Sequence, residues 1–207
     1  MKKVRLFILL AFFTISAKPQ VIDSIKYFMA ESKPKFFFQF NNRGSFVQNR
    51  TAAVSAFLLG LSYSKRVKFA LTAGKVTSKV YKNILTSDGD TTLGTLQMWF
   101  GGVHFEYSYF KNKHWEISLP ISLSLSFSNY NYKEQNKTTI TETTPGLTYE
   151  ASTTVIYKPF FLIGIGGGLG YRLSYFEDMY LTKSFTSVIY NLEFKVYIGE
   201  LVNRLKK

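Results

Sequence analysis

Three polar residues of the types used in acyl hydrolysis, His104, Glu106 and Ser108, alternate along one segment of the chain. Hydrolases of that kind combine a nucleophilic hydroxyl, a histidine base and a carboxylate. Alternate residues of a strand share one face of a sheet, so these three side chains would stand in a row. A row is not the geometry of a triad, and we expect the three groups to pair with polar neighbours. Catalysis at His104 is the lesser alternative, and the other histidine, His114, is predicted to lie in a solvated turn.

Two further motifs are better explained by structure than by chemistry. The glycine-rich run 164–170, GIGGGLG, does not match Gly-x-Gly-x-x-Gly and is not followed by Gly-Lys-Ser/Thr. Asp88-Gly89-Asp90 is too short for a calcium loop and lacks its terminal glutamate. The chain has no cysteine, which excludes disulfides, thiolate nucleophiles and cysteine metal ligands. The sequence therefore predicts no enzyme, no cofactor and no metal site.

These residues would be positioned by strands, because apolar and polar residues alternate along most of the chain. The clearest case is segment 115–127, WEISLPISLSLSF, in which seven bulky apolar residues alternate with glutamate, proline and serines. Soluble strands average about 5–6 residues, whereas a tilted strand needs about 9–11 residues to cross a bilayer. Pro120 removes one ladder donor, so we expect a bulge or a local break there. Eight strands are predicted, over 35–41, 52–63, 67–79, 93–110, 115–130, 147–157, 160–175 and 183–198, with a bulge in the fourth near Gly101-Gly102.

The loops between these strands alternate in length, as they do in outer-membrane barrels. Short turns are predicted at 64–66, 111–113 and 158–159, and longer polar loops at about 42–51, 80–92, 131–146 and 176–182. The long loops would be extracellular. Their basic residues are candidate contacts to lipopolysaccharide: Arg43, Arg50, Lys79, Lys82, Lys133 and Lys137.

The bulky apolar face is predicted to point outward, to lipid. An eight-stranded barrel encloses room only for modest side chains, which suits serine, glycine and threonine better than phenylalanine and tyrosine. The small polar face also holds charges of both signs, which can pair inside a narrow barrel but would be costly against lipid. This predicts a structural charge network in the lumen made of Lys68, Glu106, Glu116, Glu150, Arg172, Glu193 and Lys195.

The N-terminus has the pattern of a secretory signal. Lys2, Lys3 and Arg5 precede an apolar stretch and the small residues Ser16 and Ala17. We therefore predict a signal peptide over 1–17, a periplasmic segment over 18–34, the barrel over 35–199 and a basic periplasmic tail over 200–207. Removing the three basic residues of the signal from the formal net charge of +13 leaves +10. The basic residues cluster in predicted turns and tails and not on a nucleic-acid-binding module, so no nucleic-acid partner is predicted.

The chain resembles the small outer-membrane β-barrel proteins of the OmpA-like and OmpX-like superfamily over residues 35–199. The resemblance rests on the signal segment, the eight alternating segments and the loop asymmetry, together with segments 157–172 and 190–198. It implies an all-β, eight-stranded antiparallel up-and-down transmembrane β-barrel in the bacterial outer membrane. Its implied partners are outer-membrane lipid, lipopolysaccharide and the barrel-assembly machinery, for a monomer. The expected function is a non-enzymatic structural or surface-interaction role; the alternatives are a lipid-modifying barrel enzyme of the acyltransferase or deacylase type, or a soluble periplasmic ligand-binding barrel.

Overall fold

A computed structural model describes residues 21–47, 50–86, 89–134, 137–160 and 163–196. The predicted signal peptide and the basic tail lie outside the described residues. The described part begins with a helix, α1, over residues 21–31. The elements that follow are β1 (Lys35–Val47), β2 (Arg50–Tyr63), β3 (Val67–Val76), β4 (Tyr81–Leu85), β5 (Thr91–Lys111), β6 (Trp115–Glu134), β7 (Lys137–Ile140), β8 (Thr144–Phe160), β9 (Ile163–Phe176), α2 (Met179–Phe185) and β10 (Ser187–Val196).

Eight of the ten strands close into a ring, which confirms the predicted fold class. All pairings are antiparallel, in the order β1-β2-β3-β5-β6-β8-β9-β10 and back to β1. The two short strands stand outside the ring, since β4 pairs only with the start of β5 and β7 only with the end of β6. They therefore lengthen two hairpins at one end of the barrel, within regions that the sequence predicted as loops.

The barrel has two ends that differ in their connections. At the inner end, where β1 begins and β10 finishes, the strands are joined by short turns. The predicted turn at 158–159 is wrong, because Lys158 and Pro159 belong to β8. The outer end carries β4, β7 and α2. The predicted loop 42–51 is also wrong, because β1 and β2 continue through it to the hairpin between Val47 and Arg50.

Side chains alternate between the lumen and the outside, with bulky apolar groups outward. Each strand of the ring contributes to this outer belt, for example Phe38, Leu59, Leu71, Val103, Leu123, Val155, Leu169 and Leu192, which are 39–75% exposed. The serines of β6 at 118, 122, 124, 126 and 128 are buried in the lumen. The barrel is thus polar inside and apolar outside, the reverse of a soluble barrel.

Of the two irregularities that the sequence predicted, the bulge near Gly101-Gly102 is wrong and the break at Pro120 is present. Pairing passes through Gly101 and Gly102 without a register shift, and the shift instead lies between Ser108 and Phe110. The apparent change of phase in β5 has another cause: its outer half points apolar residues into the lumen. Pro120 lies in register opposite Glu106, and only its pairing with β8 is interrupted. The expected disturbance is therefore a local break and not a bulge.

Two short elements pack against the ends of the barrel. The helix α2 begins at its N-cap Asp178, whose side chain accepts a hydrogen bond from the Tyr180 N–H, so the eighth strand starts at Ser187 and not at 183. At the inner end, α1 is fixed to the β2–β3 turn. Ser64 in that turn donates its N–H to the Ser32 hydroxyl and its hydroxyl to the Phe28 carbonyl.

Candidate functional site

The inner third of the lumen holds a cluster of charges around Glu116. Its carboxylate is fully buried and lies 2.8 Å from the Lys111 ammonium, 3.0 Å from that of Lys158 and 4.0 Å from that of Lys68. Lys68 in turn lies 2.8 Å from Glu106. Buried charges are tolerated when they are paired and hydrogen-bonded, which this arrangement provides. The cluster ties β3, β5, β6 and β8 together across the lumen.

A second charge group crosses the middle of the lumen. Glu150 on β8 forms ion pairs with Arg43 on β1 and, at 2.6 Å, with Arg172 on β9. Glu193 on β10 is buried close by and accepts a hydrogen bond from the Asn191 amide. The glycine column of β9 makes room here, because a Cβ at Gly168 would lie 2.7 Å from the Thr154 methyl. The group therefore has two positive and two negative charges in a space that glycine leaves open.

Six of the seven predicted lumen residues are thus buried inside the barrel; Lys195 lies on β10, and its side chain is not among those described. The sequence missed Lys111 and Lys158, which it assigned to solvated turns. The sequence held one weak indication of this placement. Lys158 continues the inward-facing alternation of Thr154 and Ile156, so it could have been predicted to lie in the lumen.

His104 lies inside the barrel between the two charge groups. Its Nδ1 is 2.8 Å from the hydroxyl of Ser122, and its Nε2 is 3.9 Å from the Glu106 carboxylate, too far for a hydrogen bond. Ser108 does not join it, and donates instead to Glu116 at 3.4 Å. The histidine, Ser122 and Glu106 are each at most 5% exposed. A lipid ester at the outer surface of the barrel could not reach them, so the arrangement fits a structural role.

The outer third of the lumen is closed by an apolar cluster. Side chains from the inner faces of β2, β5, β6 and β9 meet those of α2 there: Ala52, Leu96, Met98, Tyr130, Phe176, Leu181 and Phe185. Beneath Phe185, a small cavity lined by Ser124, Thr148, Glu150 and Arg172 has room for about one water molecule. Among the described residues, the outer end of the lumen is therefore capped by apolar side chains.

The basic residues predicted at the outer surface lie in different environments. Lys79 and Lys133 are exposed near the outer end, as predicted. Lys82 is held inward: its ammonium lies 2.7 Å from Asp178, 4.9 Å from the Tyr180 ring centroid and 5.5 Å from that of Tyr130. Arg43 was wrongly placed, since it is 7% exposed in the lumen. The side chains of Arg50 and Lys137 lie outside the described set.

The bond between Lys82 and Asp178 connects the β4–β5 hairpin to the helix α2. Asp178 lies outside the ring of strands. Partial burial alone would raise the pKa of Asp178, but hydrogen bonds from Lys82 and the Tyr180 N–H outweigh it and lower that pKa below 3.8. The carboxylate is therefore ionised at neutral pH, where it both caps α2 and holds Lys82.

The described part of the chain contains neither a membrane-spanning helix nor a metal-binding cluster. Its helices include none that is long and apolar enough to cross a membrane. Nor do three histidine, aspartate or glutamate side chains there come together in a way that could hold a metal ion.

No family model and no curated protein matches this sequence. Solved structures of two bacterial proteins are similar in fold. The chain is 9% identical to Ail, the attachment invasion locus protein of Yersinia pestis, solved with the heparin analogue sucrose octasulfate; 80% of this chain covers 99% of Ail with a TM-score of 0.50. Against neisserial surface protein A, NspA, the identity is 14%, the coverage 79% of this chain and 96% of NspA, and the TM-score 0.48.

The likeness to Ail concerns the fold, which the closed ring and the outer belt establish independently. A closed antiparallel ring satisfies its backbone hydrogen bonds internally, and its apolar outer belt is compatible with hydrocarbon. Antiparallel barrels built this way occupy the outer membrane of bacteria. The chain has the fold of a small outer-membrane β-barrel.

Proposed function

We propose that this protein is a non-enzymatic, monomeric outer-membrane barrel whose outer end binds anionic surface polymers, with lipopolysaccharide the first candidate. The observation that carries the proposal is the contrast between a closed lumen and a built-up outer end. Paired charges and the cluster around Phe185 fill the lumen, which leaves little path for a solute. The β4–β5 and β6–β7 hairpins, by contrast, extend beyond the ring and carry exposed lysines.

The chemistry at that end suits an anionic partner. Lys75, Lys79, Lys133 and Lys183 are exposed at or near the outer end. A lysine or arginine near an anionic membrane surface contributes about 1 kcal/mol of attraction. Ail, which shares the fold, was solved with a sulfated heparin analogue, so a barrel of this shape can present a polyanion site. The soluble periplasmic barrel considered from the sequence does not agree with the outward apolar belt.

The test compares charge reversals at the two ends of the folded barrel. Lys79→Glu with Lys133→Glu is expected to weaken binding to purified lipopolysaccharide on the order of 10-fold or more, since each reversal removes an attraction and adds a repulsion. Lys65→Glu with Lys113→Glu, at exposed inner turns, is the matched control and should leave binding unchanged. Equal binding by the outer variant and the original chain would overturn the proposal.

The enzymatic alternative has a separate test. His104→Ala, made in the lumen, should leave the lipid A composition of cells that produce the protein unchanged, because no acyl ester reaches this residue. A change in the acyl pattern that depends on His104 would show that the barrel modifies lipid.

A further inference from the structure

The helix α1 has an apolar stripe that the barrel covers only in part. Ile22, Ile25 and Met29 recur at the spacing that places side chains on one helix face, and Val21 and Phe28 extend this stripe. Ile25 and Phe28 are half-buried against the barrel, whereas Ile22 and Met29 remain 50% and 37% exposed. Asp23, Tyr27 and Glu31 recur on the opposite side of the helix, and Lys26 borders Ile22 and Met29, where a long lysine side chain can keep its charge in water. One flank of the stripe therefore still lacks a partner among the described residues.

The helix α1 is docked against the outer wall of the barrel at its inner end. Phe28 lies against Arg66, whose guanidinium carbon is 5.1 Å from the ring centroid, so the helix is docked at the β2–β3 turn. Val67 and Tyr107 face outward by register, opposite in phase to the lumen residues beside them, yet they are 0% and 8% exposed. These two outward side chains are therefore covered, and α1 is the described element anchored next to them.

The turn that anchors α1 is itself unusual. Ser64 and Lys65 have φ of 47° and 55°, values that glycine and asparagine normally adopt in a two-residue hairpin. The hydrogen bonds from Ser64 to Phe28 in α1 and to Ser32 just after it hold this turn against the helix. The helix is therefore held to the side of the barrel by specific contacts and not only by its chain connection.

From this placement we infer that α1 lies in the lipid interface of the inner leaflet, with Ile22 and Met29 inserted into the bilayer. The flank is continuous with the lipid-facing belt, because α1 leads within four residues into β1, where Phe36 and Phe38 are 84% and 66% exposed. Amphipathic helices of this kind bury their apolar side about 5–10 Å into the boundary between headgroups and acyl chains. The occupant of the flank is lipid, and the helix serves as an interfacial collar at the inner end.

Because the chain has no cysteine, single spin labels can test this directly. The folded protein is reconstituted in vesicles of phosphatidylethanolamine and phosphatidylglycerol, with a label at Ile22→Cys or Met29→Cys. Both labels should show the oxygen accessibility of the acyl-chain boundary and low accessibility to a water-soluble nickel reagent. Glu31→Cys, on the opposite flank of the same helix, is the matched control and should show the accessibility of water.

Labels at Ile22 and Met29 that are as open to the nickel reagent as the label at Glu31 would overturn the inference and leave a protein partner as the occupant. A second measurement separates insertion from simple folding. The double variant Ile22→Ser with Met29→Ser should fold in detergent as the original does, while a label at Phe36→Cys reports that β1 remains in place. Loss of α1 protection from hydrogen exchange only in vesicles would then support the lipid contact, and unchanged protection would contradict it.

Discussion

Glu116→Gln is expected to destabilise the barrel severely, because it removes the negative charge that two buried lysines and the largely buried Lys111 share. The substitution keeps the shape of the side chain but leaves Lys68, Lys111 and Lys158 facing one another with Glu106 as the remaining carboxylate of the group. Removing one partner of a buried ion pair costs about 3–5 kcal/mol. We expect about 3 kcal/mol, the lower end, because the Lys111 side chain is 14% exposed and can turn toward water.

The assay is urea-induced unfolding in lipid vesicles, followed by the fluorescence of Trp99 and Trp115, the two tryptophans of the chain. A loss of about 3 kcal/mol corresponds to more than 100-fold in the unfolding equilibrium. Glu142→Gln is the matched control, since this glutamate is exposed and its substitution should stay within about 0.5 kcal/mol. Adding Lys158→Met to Glu116→Gln should recover part of the loss, because it removes one uncompensated cation.

Unfolding of Glu116→Gln at the same urea concentration as Glu142→Gln would contradict this role of the inner cluster. That result would mean that the inner cluster is hydrated in the membrane and contributes little to stability, as exposed ion pairs do. A loss that Lys158→Met makes larger would equally contradict it, because the lysines would then not be repelling one another.

Three further outcomes are expected. Leu123→Arg, in the middle of the outer belt, should cost about 2–4 kcal/mol in vesicle unfolding, whereas Leu85→Arg on β4 outside the ring should cost about 0–1 kcal/mol; equal costs would contradict the assigned depths. Asp178→Asn should increase hydrogen exchange in α2 by releasing Lys82. In the original chain the same loosening should occur only as the pH falls through the lowered pKa of Asp178, because its stabilisation is present above that range; loss of α2 protection already at pH 6, after correction for the intrinsic exchange rate at each pH, would refute this. Gly168→Leu should reduce the yield of folded barrel, measured by comparing heated and unheated samples on detergent gels, since the side chain would clash with β8 and β10. An unchanged yield would show that the lumen has more space than its contacts indicate.

The sequence predicted the membrane face of the barrel well, because that face obeys a single rule. Every outward position in the ring must be compatible with hydrocarbon, so bulky apolar residues recur with period two, as in β6 from Trp115 to Phe127. The polar face in β6 is equally regular, since serines fit a narrow lumen. These two regularities were sufficient to place the charged residues Glu116, Glu150 and Arg172 inside.

Polar residues near strand ends could not be assigned from sequence, because the lumen and the aqueous loops accept the same types. Arg43 stands in the run NNRGS, which is typical of a turn, yet the strand continues and its side chain pairs with Glu150 in the lumen. Lys111 and Lys158 were misplaced for the same reason. Only the position of an opposite charge on another strand distinguishes the two environments, and that partner is remote in sequence.

The apolar closure of the outer end was also hidden from the sequence. Leu96 and Met98 occupy inward positions of β5, where the rest of the barrel has polar groups, so the alternation appeared to change phase near Gly101. A bulge was the simplest explanation from sequence. The structure gives a different explanation. Leu181 and Phe185 of α2 pack over the lumen, so the inward-facing residues beneath them are apolar.

The contact of the outer belt with lipid can be measured with a single tryptophan placed at its centre. In a chain carrying Trp99→Phe and Trp115→Phe, Leu123→Trp should be quenched strongly by lipids brominated near the end of their acyl chains and little by iodide in the water. The side chain at 123 points outward from the middle of β6, so lipid must surround it if the barrel spans the membrane. Strong quenching by iodide with none by brominated lipid would show that water covers this face and that the chain is not an outer-membrane barrel.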